Sequence, residues 1–137
     1  MRACKVGSSS RRGSTLVESA IVAAGFIVFM AGVMEFGRIG FAYNQVSFAA
    51  ERAARFASVR GSGSGHAATA TDVQNNALGY FSGIDRSQIT VTTTWTPDNK
   101  PGSKVQVRVA YAFVSVMPVI SKTGLALHCT ARDIITQ

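Results

Sequence analysis

The sequence predicts an α+β protein in which one long N-terminal helix, apolar in its first half and amphipathic in its second, packs on a small antiparallel sheet. Three observations carry this expectation. Residues 19–34 are sixteen consecutive positions without a charge. Beyond them, apolar residues recur at alternating steps of three and four. Near the C-terminus two segments alternate strictly between apolar and polar positions. With 137 residues, 47% hydrophobic and 15% charged, the chain is apolar enough to fold and too short for more than one ordinary domain. That composition also argues against a disordered chain.

The apolar run extends back to Ser14 when Glu18 is allowed at its edge, giving 21 residues over 14–34. At about 1.5 Å per residue it spans roughly 30 Å, the thickness of a bilayer core. Its β-branched residues and glycines would make a mediocre helix in water, but in hydrocarbon each backbone group must bond within its own segment, which enforces the helix. The charge fits a membrane span. Lys and Arg total 14 against 7 Asp and Glu, and Arg2, Lys5, Arg11 and Arg12 all precede the span, leaving ten basic residues against seven acidic ones. Such head-loaded charge points to topology and argues against a nucleic-acid surface. Four leading cations, against Arg38 and Arg52 within about 20 residues on the other side, predict a cytoplasmic N-terminus and a body across the membrane.

Helical periodicity continues past the span. Phe36, Ile39, Tyr43, Val46, Ala50, Ala53 and Ala57 form a coiled-coil-like seam that extends backwards through Gly32, Phe29, Gly25, Val22 and Glu18. One helix over about 15–58 is the economical reading, with Glu51 and Arg55 as an i,i+4 pair on its polar side. The GSGSG stretch at 61–65 predicts a break and a flexible connection. A short helix is expected over 71–81, with Thr71 and Gln74 at capping-box spacing and Val73, Ala77 and Phe81 on one face. Ile89, Val91, Thr93 and Trp95 then alternate with threonines, and Val105, Val107, Val109, Tyr111 and Phe113 alternate with Gln106, Arg108, Ala110 and Ala112. These are two half-buried strands joined by the turn-rich PDNKPGS loop. Leu125, Leu127, Cys129 and Ala131 predict a third, after a break at Pro118 and Gly124. The amphipathic half of the long helix is expected to cover the apolar face of this sheet.

The informative junction reads Arg11, Arg12, Gly13, Ser14, Thr15, Leu16, Val17, Glu18 and then the apolar run. It resembles the processing site of type IV prepilins, in which a membrane aspartyl peptidase cuts after a glycine and the fifth mature residue is glutamate. With Glu35, Phe36, Gly37 and Arg38 and the AAERAAR segment at 49–55, the helix further resembles TadE-like minor pseudopilins of the tight-adherence (Tad or Flp) type IVb pilus machinery. The resemblance covers 11–58; the sheet region matches in general character only. Ser14 departs from the bulky apolar residue with which many pilins begin.

That resemblance implies a pilin-like fold divided into a leader at 1–13, a transmembrane helix at 14–34, an amphipathic continuation at 35–60, a linker at 61–70 and a small α+β extracytoplasmic domain at 71–137. It implies processing at Gly13 and Ser14, leader topology set by Arg11 and Arg12, and an assembly role for Glu18. It also implies a bacterial inner membrane, a prepilin peptidase, other pseudopilins and pilin, a Tad inner-membrane platform and a cytoplasmic ATPase motor. The charge at Glu18 has its own physical argument, because a carboxylate within a membrane helix costs about 2.5 kcal/mol or more at the centre unless paired. Cleavage would supply a cation by turning the Ser14 amide into an ammonium; pairing with Arg11 or Arg12 is the local alternative. Gly25 and Gly32, with Gly37 and Gly40, permit close helix approach, and together with Phe36 they mark an expected packing face. Glu35 and Arg38, three apart, are expected to satisfy each other at the membrane boundary.

No enzyme constellation emerges. His66 lies in the glycine-rich segment, His128 stands alone on a predicted strand, and the four Asp are scattered. His128 and Cys129 are neighbours on a strand and so point to opposite faces. Cys4 and Cys129 fit neither a disulfide framework nor a zinc site, and GSGSG lacks the lysine of a phosphate loop. No metal, cofactor or small-molecule substrate is expected. Two other readings stay open. One is an exported binding protein cut after Ala42, with Gly40 and Ala42 as its small-residue pattern and Arg11 and Arg12 as a twin-arginine variant. The other is a permanent anchor bearing a cationic module built from Arg86, Lys100, Lys104, Arg108, Lys122 and Arg132.

Overall fold

The structure, a computed structural model, describes residues 10–116 and 124–136. In chain order it contains α1 (Ser10–Ser58), α2 (Ala70–Gly79), β1 (Ile89–Thr96), β2 (Lys104–Phe113) and β3 (Leu125–Ile134), with short 3-10 turns at Ser62–Ser64 and Arg86–Gln88. This is the α+β arrangement expected from the sequence, a long helix and a three-stranded antiparallel sheet. Two compact units divide the chain, Met1–Phe36 and Gly37–Gln137.

In the first unit α1 is uncharged over residues 19–34 and exposed on nearly every side. Leu16, Ile21, Phe26 and Phe29 keep between 62% and 71% of their surface exposed. A helix of this kind has no stable place in water, and its length and composition suffice to cross a membrane.

The second unit is built around the alanine-rich half of α1. Ala42, Val46, Ala49, Ala50, Ala53, Ala54 and Ala57 are buried, and from Val46 onward they share one core with Val105, Val107 and Val109 of β2. Alanine suits this face because it favours the helix and lets its backbone lie close to a sheet of branched side chains. The expected seam holds at Val46, Ala50, Ala53 and Ala57 but not at its start, where Phe36 and Tyr43 are exposed and Ala42 takes the buried position. The physical reason is the mismatch between a 3.5-residue seam and the 3.6-residue turn of a straight helix, which carries a strict heptad pattern round the helix surface.

The sheet is a meander in the order β1-β2-β3. Val107, at the middle of β2, is opposite Thr93 on one side and Ala131 on the other. The central strand therefore buries Val105, Val107, Val109 and Phe113 while Lys104 and Arg108 face solvent. Helix α2 adds Val73 and Ala77 to the same core. It begins two residues earlier than its expected cap: Thr69, not Thr71, is the N-cap, and the reciprocal partner is Asp72, not Gln74. Both pairs have the right spacing, but the Asp72 carboxylate accepts from the Thr69 N–H at 3.0 Å and from its hydroxyl at 2.7 Å, while the Asp72 N–H donates to the Thr69 hydroxyl at 3.2 Å.

The glycine-serine segment expected as a flexible connection is hydrogen-bonded into the domain. Its Ser62 N–H donates to the Asn99 carbonyl at 2.7 Å, and beyond it the Ala68 N–H donates to the Arg60 carbonyl at 2.8 Å. Gly65 sits at φ +75°, the left-handed conformation that glycine adopts without strain.

Candidate anchoring and assembly site

The residues singled out from the sequence lie along the first unit's helix. Gly13 and Ser14 are helical and exposed, the fourth and fifth residues of α1. A methyl group added at Gly13 would meet nothing within 4 Å, and its backbone is not in the left-handed region. Neither packing nor backbone geometry therefore calls for glycine here, and in a helix glycine is less favourable than alanine by roughly 0.5–1 kcal/mol. The same open space surrounds Gly25 and Gly32, so within one chain these glycines leave a shallow, uncovered strip.

Glu18 is exposed one turn further on. It lines an open groove with Thr15, Ser19, Val22, Ala23 and Phe26, the neighbours expected at three and four residues along a helix. Ser19 donates its hydroxyl hydrogen back to the Thr15 carbonyl at 2.8 Å, a bond that satisfies the hydroxyl inside the helix. The side chains of Arg11 and Arg12 lie outside the described residues, as do Cys4, Pro118 and Lys122. Phe36 is 77% exposed, and Glu35 is buried.

The second unit has a different concave feature at the beginning of its share of α1. Arg38, Phe41, Ala42, Gly83, Ile84, Tyr111 and Phe113 line a pocket of about 200 Å³. The Arg38 guanidinium lies over the Phe113 ring at 5.2 Å, and the rings of Tyr111 and Phe113 meet edge to face at 6.4 Å. Sequence reasoning missed this pocket, because its walls come from three separated stretches of chain. Phe41 and the alternating Tyr111 and Phe113 were its only linear signal.

Three carboxylates of the second unit accept hydrogen bonds from local helix starts and turns. The Thr69 hydroxyl and then the Thr69 N–H hold the Asp72 carboxyl below its ordinary value. The backbone N–H of Ser87 does the same for Asp85. The Ser103 hydroxyl, at 2.6 Å, is the main cause for Asp98, with the Lys100 N–H assisting. His128 is exposed on β3 while Cys129 is half-buried against the core, on opposite faces of the strand. Among the described residues no group of three or more His, Cys, Asp or Glu could hold a metal ion.

The comparisons bear on the helix. Residues 13–55 match the family model described as TadE-like protein. Neither a curated protein nor a solved structure matches the chain. The matched segment runs from Gly13 through Glu18 and the apolar helix into the alanine-rich stretch that forms the core of the second unit. Over this helix, about a third of its length, the chain is similar to TadE-like proteins.

Proposed function

We propose that this chain is a minor pseudopilin, cut after Gly13 by a prepilin peptidase and needed to assemble a Tad-type type IVb pilus for adhesion or secretion. The observation that carries the reading is the spacing of Gly13 and Glu18 at the head of an exposed apolar helix inside the TadE-like match. A glycine that its own fold does not require is explained by an external protease that does. Residues 14–34 anchor the protein in the bacterial inner membrane, with Arg11 and Arg12 holding the leader in the cytoplasm and the sheet domain on the far side.

Cleavage frees the Ser14 ammonium beside a membrane-embedded carboxylate. In a bundle of such helices Glu18 of one subunit neutralises the new N-terminus of a neighbour, which removes the cost of two unpaired charges in hydrocarbon. Gly25 and Gly32 let the helices approach, and the domain, carried outside the membrane, contacts other pseudopilins, the pilin and the inner-membrane platform. Replacement of Gly13 by Leu should leave the chain at full length in its host, and normal processing would remove the peptidase from the scheme. Replacement of Glu18 by Gln should preserve insertion and cleavage while blocking piliation; normal pili would eliminate the pairing role.

A further inference from the structure

We propose that the outer face of the sheet, the side turned away from the core, binds a linear acidic polysaccharide along a track of cations on β2 and β3. This surface belongs to the second unit alone and is the same whether or not the chain is cut after Gly13. Strand alternation sends Val105, Val107 and Val109 into the core and leaves Lys104 and Arg108 in solvent, while on β3 the exposed positions include His128, Thr130 and Arg132. Register then fixes their order. Lys104 is opposite Ile134, Gln106 opposite Arg132, Arg108 opposite Thr130 and Ala110 opposite His128. Lys104, Arg132 and Arg108, with His128 next in the series, therefore alternate between the two strands, each two positions beyond the last. At about 3.3 Å per residue along a strand and about 4.8 Å between strands, successive groups stand roughly 8 Å apart and the row runs for about 20 Å.

No carboxylate interrupts this row. Asp133, the one acidic residue of the three strands, is on the opposite face, where the Ser58 hydroxyl donates to it at 2.9 Å. Among the described residues none of Lys104, Arg108 and Arg132 has an ion-pair partner, whereas the Lys100 ammonium lies 3.4 Å from the Asp98 carboxylate. Arg132 donates from Nε to Gln106 Oε1 at 2.8 Å, which orients the guanidinium and leaves its terminal nitrogens to grip a carboxylate in two places.

The form of the surface selects the ligand. A row of unpaired cations one group wide is complementary to a chain with anionic groups at intervals, and matches the two-dimensional array of headgroups on a bilayer less well. Beside the row, Thr92 and Thr96 of β1 and Thr130 of β3 are exposed, with Thr92 opposite Arg108 and Thr96 opposite Lys104. Their hydroxyls donate to and accept from sugar hydroxyls. Nucleic acid fits poorly. Trp95, Tyr111 and Phe113, the aromatic residues of the strands, all belong to the core side, so the outer face offers no ring on which bases could stack.

The test titrates the full-length chain, purified in a nonionic detergent, with polygalacturonate oligomers, which carry one carboxylate per sugar. Calorimetry should show binding that weakens as salt is raised, and dextran of equal length, which has no carboxylate, should not bind. Arg108→Gln with Arg132→Gln should weaken binding at least about tenfold. The thermal midpoint of that variant should stay in place, since neither guanidinium holds a carboxylate in the folded chain. Arg52→Gln with Arg55→Gln removes the same charge from α1, on the other side of the sheet, and should change the affinity less than about twofold. Absence of polygalacturonate binding would overturn the proposal. Equal losses in the two double variants would overturn it as well, by reducing the effect to net charge. So would tighter binding of single-stranded DNA, or of soluble short-chain phosphatidylglycerol, through Arg108 and Arg132, because it would give the face to a nucleic acid or a membrane.

Discussion

Ser58, the last residue of α1, donates its hydroxyl hydrogen to the Asp133 carboxylate of β3 at 2.9 Å across 75 positions of sequence. The Ser58 carbonyl also accepts the Thr136 N–H at 2.9 Å. Together these bonds tie the C-terminal end of the helix to the end of the last strand. Ser58 is buried and Asp133 half-buried, so loss of the hydroxyl removes one donor to the carboxylate and leaves a small void at the end of the helix. Ser58→Ala should destabilise the domain by about 1–2 kcal/mol, read as a lower thermal midpoint of the full chain in detergent by Trp95 fluorescence. Asp133→Asn, which retains an acceptor, should cost less.

A second tie joins α1 to the segment before the sheet. The Gln45 amide donates from Nε2 to the Ser82 carbonyl and accepts from the Ser82 N–H, both at 3.0 Å, pairing with the backbone as a strand would. Gln45→Glu replaces the donor by an oxygen that repels the carbonyl. It should be more destabilising than Gln45→Ala, whose cost is about 1 kcal/mol. Limited proteolysis should show earlier cleavage between α2 and β1 in the glutamate variant.

Ala49, Ala50, Ala53 and Ala57 on the core face of α1 have no exposed surface. Ala53 is fully buried in the core it shares with Val105, Val107 and Val109. Ala53→Leu should cost about 1–3 kcal/mol through overpacking, measurable in the same thermal assay, while Ala53→Gly should destabilise through helix propensity and lost contact.

Three carboxylates contribute to the stability of the domain in acid. Asp72, Asp85 and Asp98 are held below their ordinary value of 3.8 by hydroxyl and amide donors. In the acid range the unfolded chain binds their protons first, so stability rises with pH there. Their contribution is fully present above about pH 4 and is lost as the pH falls from that value through the lower folded-state values. The thermal midpoint should drop over that acid window, and Thr69→Ala together with Ser103→Ala should flatten the drop by removing the main donors to Asp72 and Asp98.

How much of this was legible in the sequence depends on the length scale of each feature. β1 and β2 were readable because Ile89 to Trp95 and Val105 to Phe113 alternate at the period of a pleated strand. The likeness to TadE-like proteins was readable because it rests on linear motifs along the helix, and the family model matches residues 13–55. The cap of α2 was misjudged by two residues because Thr69 with Asp72 and Thr71 with Gln74 offer the same spacing, and only hydrogen-bond geometry separates them. The buried side of α1 near Tyr43 was misjudged because a heptad count drifts from the true helical turn. The Arg38 pocket was illegible, since Ile84 and Tyr111 meet Phe41 only after the chain has folded.

The most direct measurement is the N-terminus of the protein isolated from the membranes of its host, by intact mass and terminal sequencing. The account predicts a mature chain beginning at Ser14. A chain still beginning at Met1, or one beginning near Tyr43 after removal of the whole apolar run, would contradict it.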